Sequence, residues 1–329
     1  MGPGRTFVTG ANAQGKTSIL EAVCLLLRLQ SPRTSTTAEA IRFGRPGFSL
    51  DAHFSETHLV LHYTRDGREL LLDSKPQTRT DDYLDVARVA WFANTDLDLV
   101  CGGGSVRRRY LDFLGMQCVQ GYRKPLRAYE RALRSRNSLL KDNRPRREVE
   151  AFDPPLVEAG EFLFAARAGL CETLAPIARA ACLEISGGSD TMEISYHPGG
   201  GSPLASALAA SRKEEIRLRQ TMVGPHRDEL QITINRLDAA AFASEGQQRG
   251  IALSLKLAQA RHIEEVQNRA PILLLDDIFG ELDPDRRNRL LASLPAQSQA
   301  IITTTFLDWT DRTPADSVFK LADGRLEPA

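Results

Sequence analysis

The chain has 329 residues, 42% of them apolar, which is enough for one large or two smaller hydrophobic cores. Lysine plus arginine equals aspartate plus glutamate at 42 each, so the molecule as a whole has no field that draws it to nucleic acid or an anionic membrane, and any such surface must be local. Cys24, Cys101, Cys118, Cys171 and Cys182 form no C-x-x-C pair and have no histidines at metal-ligand spacing, which excludes a disulfide scaffold or a zinc module and reads as reduced cytosolic thiols.

Along the chain, residues 5–9 read as a short buried strand, followed by a Gly-bounded loop. Residues 18–29 then place Ile19, Val23, Leu26 and Leu27 on one helical face. The apolar stretch 19–29 is too short to span a bilayer and carries Glu21 and Arg28, and no basic leader precedes it, so a cytoplasmic location is expected. Residues 48–73 alternate as an antiparallel sheet, with Asp66-Gly67 at a hairpin turn. Residues 107–219 are rich in Arg and Ala at helical period, broken at Asn143-Arg144-Pro145, at Asp153-Pro154-Pro155 and within 197–203. Strands are predicted at 231–235, 272–275 and 300–304, with a long helix from 248 to about 266. Buried strands alternating with helices indicate an α/β fold with a largely parallel sheet. No heptad run is long enough for an extended coiled coil, so the insert should be compact.

Gly10-Ala11-Asn12-Ala13-Gln14-Gly15-Lys16-Thr17 fits G-x-x-x-x-G-K-T and sits between a strand and a helix, where its chemistry requires it. Loop amides and the helix N-terminus can hold phosphate oxygens, Lys16 can neutralise the β and γ phosphates of ATP, and the Thr17 hydroxyl can ligate Mg²⁺. Ile272-Leu273-Leu274-Leu275 ends in Asp276 and Asp277. That places two carboxylates at the carboxyl edge of a sheet, Asp276 for Mg²⁺ and Asp277 for the attacking water. Ser244-Glu245-Gly246-Gln247-Gln248-Arg249 opens an Ala/Leu-rich helix; Ser244 is a plausible N-cap, and Ser244, Gly246 and Gln247 form a candidate anion site, although an ordinary capped helix would read the same way.

P-loop, long insert, S-x-G-Q-Q and apolar-Asp-Asp followed by Glu281-Leu282-Asp283, in that order, resemble the ABC-type ATPases of the SMC and RecF class. The resemblance narrows to the RecF family on Ser31-Pro32-Arg33-Thr34, Arg107-Arg108-Arg109-Tyr110-Leu111-Asp112, Val223-Gly224-Pro225-His226-Arg227-Asp228 and Phe242-Ala243-Ser244-Glu245-Gly246-Gln247-Gln248-Arg249. It implies an ABC-type ATPase head with a mixed sheet, formed by 1–106 and 220–329, and an inserted, mostly helical lobe at 107–219. It also implies a cytosolic DNA-repair ATPase, weakly DNA-dependent, whose signature closes over the ATP of a second copy. Such a protein pairs on gapped or junction DNA, hydrolyses ATP slowly, and assists RecO and RecR in loading recombinase during replication restart and the SOS response to DNA damage.

The sequence departs from that family at several points. Asp277 stands where an ABC-type ATPase usually has glutamate, Pro32 where the family often has His, Gly280 where Ser usually precedes Glu-Leu-Asp, and Ala93-Asn94 where Ser-Pro is common. Family members usually carry two strands and an aromatic-basic segment ahead of the P-loop strand, supplying a sheet edge and adenine contacts; a misplaced start codon is the expected reason for its lack here.

Thirteen basic residues, Arg107, Arg108, Arg109, Arg123, Lys124, Arg127, Arg131, Arg134, Arg136, Lys141, Arg144, Arg146 and Arg147, outnumber the nearby acids. Arg123, Arg127, Arg131 and Arg134 are the candidates for DNA phosphate contact, with a solvated helix face and internal ion pairs as the alternative. His226 and Arg227 after Gly224-Pro225 read as a structural turn. A transporter subunit would show a Gly-Gly-Gln signature, an SMC protein hundreds of heptad residues, and a nuclease relative a separate acidic metal domain; another SMC-like head, or a relative with impaired ATP turnover, is the remaining alternative.

Overall fold

The computed structural model describes residues 4–34, 36–201, 203–307 and 317–329 and divides into two compact units, Met1–Thr95 with Ile263–Ala329, and Asp96–His262. These limits differ from a head at 1–106 and 220–329 and an insert at 107–219: 96–106 and 220–262 pack with the helical residues. One position in the expected break at 197–203, residue 202, lies outside the described residues.

In the first unit a six-stranded mixed sheet runs in the order Arg325–Pro328, Ser317–Ala322, Arg5–Thr9, Ala300–Thr304, Ile272–Asp276 and Val89–Ala93. All neighbours are parallel except the outermost pair of Ser317–Ala322 with Arg325–Pro328. Phe7, Val8, Leu273, Leu274, Leu275 and Ile302 are fully buried, the continuous apolar runs that strands covered on both faces require. The helix Lys16–Arg28 begins two residues earlier than its periodicity predicts, directly after the loop. The alternating region forms the expected antiparallel sheet, Gly47–Phe54, Thr57–Thr64, Arg68–Leu72 and Lys75–Pro76, with Thr64 N donating to Gly67 O at 2.8 Å across the hairpin turn.

The second unit is mostly helical. Its core joins Tyr122, just before the helix Arg123–Lys141, and Leu126 and Tyr129 of that helix to Leu156, Leu163 and Phe164 of the 34-residue helix Asp153–Ser186 and to Leu204 and Leu208 of Leu204–Leu218. Each buried leucine there contributes about 1.5–3 kcal/mol.

One expectation is met and one corrected. Asp153-Pro154-Pro155 marks the break between the helix Arg146–Glu150 and the 34-residue helix Asp153–Ser186, which it opens, because proline in the first turn lacks only an amide that would have no intrahelical partner. The strand expected at 231–235 is Glu229–Ile234, and it belongs to no parallel sheet; it pairs antiparallel with Met192–His197 and Leu237–Asp238. Its alternating burial, with Leu230, Ile232 and Ile234 inside, is the period of a half-buried antiparallel strand.

Candidate functional site

Within the first unit, the strand Arg5–Thr9 delivers the chain to Gly10. A Cβ on Gly10 would lie 2.6 Å from the carbonyl oxygen of Leu321 on the neighbouring strand, so only glycine lets the loop leave at that point. Gly15 then turns the loop into the helix at φ 99°, in the left-handed region. Between them Ala11, Asn12 and Ala13 are exposed, and the Gln14 side-chain oxygen accepts from Asp323 N at 3.2 Å. Lys16 is buried; its ammonium donates to Gly10 O at 2.6 Å and Ala11 O at 3.1 Å, which keeps the cation on the loop it would serve.

The structure brings the loop and the acidic strand end together. Thr17 Oγ1 donates to Asp276 Oδ1 at 3.0 Å, and Thr303 Oγ1 donates to the same oxygen at 2.9 Å. A hydroxyl and a carboxylate oxygen in contact at the end of the P-loop are the hard oxygen donors that Mg²⁺ takes, so these residues fit that ion. Asp277 sits at φ 51°. Its amide donates to Thr303 O at 3.2 Å and Thr303 Oγ1 at 3.1 Å, and its carbonyl accepts from Asn94 Nδ2 at 3.4 Å. Asn94, one of the departures from the family pattern, thus helps hold a left-handed residue in place. Burial raises the Asp277 carboxyl above its ordinary range; Lys16 opposes the shift, and Asp276 and Glu281 add to it. Such a carboxylate is a better proton acceptor than a solvated aspartate. A Cβ on Gly280 would meet nothing within 4 Å, so no packing contact excludes the usual serine there.

Ser31-Pro32-Arg33-Thr34 is tied to the P-loop helix through Glu21, which accepts from Ser31 Oγ at 2.5 Å and from Arg33 Nη1 at 3.2 Å. Ser31 Oγ in turn accepts the amides of Arg33 and Thr34.

In the second unit the helix Glu245–Gln267 opens on exposed Ser244. Ser244 Oγ accepts from Gln247 N at 3.3 Å, and Gln247 Oε1 accepts from Ser244 N at 3.0 Å, a reciprocal capping box. Residues 251–260 of this helix are all buried, which anchors the end that carries the cap.

The four candidate arginines share one stripe. On the helix Arg123–Lys141 they fall within roughly 80° of arc at 3.6 residues per turn, opposite buried Leu126, Tyr129, Ala132 and Leu140. Arg127, Arg131 and Arg134 are exposed and make no ion pair among the described residues; Arg123 is partly buried. Several other members of the basic run face inward. Arg136 is completely buried, donating to Asp153 at 2.9 Å, Glu215 at 2.7 Å and Thr221 Oγ1 at 2.8 Å, and removing a partner from such a group costs about 3–5 kcal/mol. Arg107, partly buried, pairs with Glu229 through two nitrogens, whereas Arg144 and Arg146 are exposed and pair on the surface with Glu148 and Glu150.

Arg167, which carries no sequence signal, explains two of the family-like motifs. It donates to Asp112 at 2.7 Å, Asp228 at 2.6 Å and Pro225 O at 2.7 Å, so one buried guanidinium joins 107–112 to 223–228. His226 is a structural turn residue, as its sequence context suggests. Its Nε2 lies 3.0 Å from Thr221 O, which can only accept, so Nδ1 takes the Tyr129 hydroxyl at 2.6 Å. Burial lowers its pKa from 6.5 to about 4. Between those values the unfolded chain binds a proton that the folded chain refuses. Stability is therefore full above pH 6.5 and declines as pH falls toward the folded value, by up to about 3 kcal/mol. Urea unfolding at pH 7 and pH 5 should show this loss, and a His226→Gln variant, which keeps one donor and one acceptor, should lose less.

No protein-family profile matches the whole or a part of the chain. Among curated proteins it is 38% identical over 346 residues to the DNA replication and repair protein RecF of Anaeromyxobacter sp. (strain Fw109-5), covering 99% of this chain and 93% of the relative. It is 35% identical over 355 residues to that of Rippkaea orientalis, covering 98% and 93%. Among solved structures it superposes on the recombination mediator protein RecF in its ATPrS form with a TM-score of 0.88 at 30% identity, covering 100% of this chain and 92% of that one. An Smc head domain from Pyrococcus furiosus, at 17% identity and TM-score 0.52, shares the fold. No helix among the described residues is long and apolar enough to cross a membrane.

Proposed function

The chain belongs to the RecF family of DNA replication and repair proteins, and from that premise we propose that it is an ATP-dependent DNA-binding switch that pairs with a second copy on gapped or junction DNA. The reading rests above all on the convergence of Thr17 Oγ1 with Asp276 Oδ1 at 3.0 Å, which joins two segments 259 residues apart into one nucleotide site. Gly10, Ala11, Asn12, Ala13, Gln14 and Gly15 would wrap the phosphates with their backbone, and Lys16 would leave its loop carbonyls to meet the β and γ oxygens. Thr17 and Asp276 would hold Mg²⁺, which supplies charge neutralisation to the phosphates. Asp277 would orient and deprotonate the attacking water. Ser244 and Gly246 at the capped helix end would receive the γ-phosphate of the partner's ATP, with Gln247 fixing the cap. By function the head is 1–106 with 220–329 and the helical insert 107–219, a division set by chemistry rather than by compactness.

In this scheme ATP joins the two copies, slow and weakly DNA-stimulated hydrolysis separates them, and RecO and RecR act next in recombinase loading in the cytoplasm. The similar RecF-ATP and RecF-ATPrS structures of the RecFOR pathway support the nucleotide and the pathway in this reading. The test is sedimentation of the purified chain over an ATP titration, with and without gapped DNA. Dimers that require ATP and form at lower ATP with DNA are expected; a chain inert to ATP would be a degenerate relative.

For the DNA surface, Ala at Arg123, Arg127, Arg131 and Arg134 together should weaken DNA binding and flatten its salt dependence, each lost phosphate contact lowering the log–log slope by about 0.9. An unchanged slope would move the surface elsewhere.

A further inference from the structure

Asp190 lies between the helix Asp153–Ser186 and the strand Met192–His197, and it is 7% exposed. Its Oδ1 accepts from Gln247 Nε2 at 2.8 Å and from Asn235 Nδ2 at 3.3 Å. An ionised carboxylate only accepts, so Gln247 has to present its amide nitrogen to Asp190. That leaves Gln247 Oε1 facing Ser244 N, where it accepts at 3.0 Å, and it holds the Gln247 backbone so that its amide reaches Ser244 Oγ. With its oxygen already accepting from within the chain, the Ser244 hydroxyl is left to donate its proton outward, which suits an incoming anion.

The geometry points to Asp190 as the positioning residue of the signature: it sets the direction of the Gln247 amide, and through it the orientation of Ser244 toward the anion. Turned the other way, the Gln247 amide would set two donors face to face, its own and Ser244 N–H, and the cap would open. Asn235 adds a second support, because its side-chain oxygen accepts from Thr191 N at 2.9 Å while its amide holds Asp190. The signature helix is thereby fastened to the turn that follows the longest helix of the insert, and a displacement of that turn would reach Ser244 through two hydrogen bonds.

This inference rests on the shared-site reading above, and a reciprocal exchange tests it. Gln247→Glu keeps an oxygen for Ser244 N but turns a carboxylate toward Asp190. Adding Asp190→Asn turns a donor toward that carboxylate with the roles exchanged, at the cost of the longer bond that Asn235 Nδ2 makes to the same oxygen. The Gln247→Glu chain should bind ATP as the monomer with wild-type affinity and dimerise with ATP roughly tenfold more weakly or worse, the scale of one lost hydrogen bond to a charged group. The double variant should recover part of that loss, and Asp190→Asn alone, which keeps its acceptor oxygen, should pair as the wild type does. Hydrogen exchange of the amides of Ser244 and Gln247 reads the same latch in the monomer: faster in Gln247→Glu and restored in the double variant. Normal pairing by Gln247→Glu, or no recovery in the double variant despite an unchanged melting temperature, overturns the assignment, as does unaltered exchange. If the wild type stays monomeric with ATP while the exchange pattern holds, the shared-site reading falls and the latch stands.

Discussion

Asp277→Asn is expected to slow ATP hydrolysis by about two to four orders of magnitude, the usual contribution of a general base, while ATP binding and ATP-dependent pairing persist. The residue sits beside the Thr17–Asp276 pair at the end of a buried strand, and its amide is held by Thr303 from two directions. Those contacts belong to the backbone and survive the substitution. Asn also reproduces the shape of the side chain, so the left-handed backbone at φ 51° is retained with a residue type that tolerates it. What disappears is the basic oxygen. Single-turnover hydrolysis with saturating ATP and Mg²⁺ measures the chemical step apart from binding, and a rate equal to the wild type would remove Asp277 from the role of base. Because burial raises this carboxyl's pKa, the wild-type rate should begin to fall on acidification at a higher pH than a solvated aspartate would give, and the Asn variant should lack that limb.

Ser244→Arg should abolish ATP-dependent dimerisation and with it hydrolysis, while the monomer binds ATP as before. The substitution removes the hydroxyl that caps Gln247 N, at a local cost of about 1 kcal/mol, and sets a long cation at the positive end of a 23-residue helix. The helix itself should survive, since residues 251–260 remain buried along it. Ser244 is exposed, so the monomer loses no packing, whereas a partner's phosphate approaching the cap would meet the bulk of the new side chain. Analytical ultracentrifugation with a nonhydrolysable ATP, beside equilibrium nucleotide binding at dilute protein, separates the two steps. A normal ATP-dependent dimer contradicts the trans site, and loss of monomer binding as well would place Ser244 in cis.

The sequence by itself determined the local chemistry. Gly10 and Gly15 mark a phosphate loop by their spacing between a strand and a helix, and the left-handed turn at Gly15 is a demand local to the loop. Asp276 and Asp277 were legible at the end of an apolar run that reads as a buried strand, and Ser244 as the N-cap of an Ala/Leu-rich helix, while its reciprocal bond with Gln247 came from the structure. Tertiary structure alone decided which distant groups meet. Nothing local to Thr17 announces Asp276, and nothing in Glu229–Ile234 chooses an antiparallel partner in Met192–His197 over the parallel sheet, since strand periodicity fixes faces and not neighbours. The arginines show the limit most clearly. Arg131 and Arg136 stand on one helix with the same charge, yet one faces solvent and the other is enclosed by Asp153 and Glu215, because the cost of burying a guanidinium is met only where folding brings acids to it. Asp190 and Arg167 had no signal at all: each acts through partners more than forty residues away, and a hydrogen bond has no sequence period.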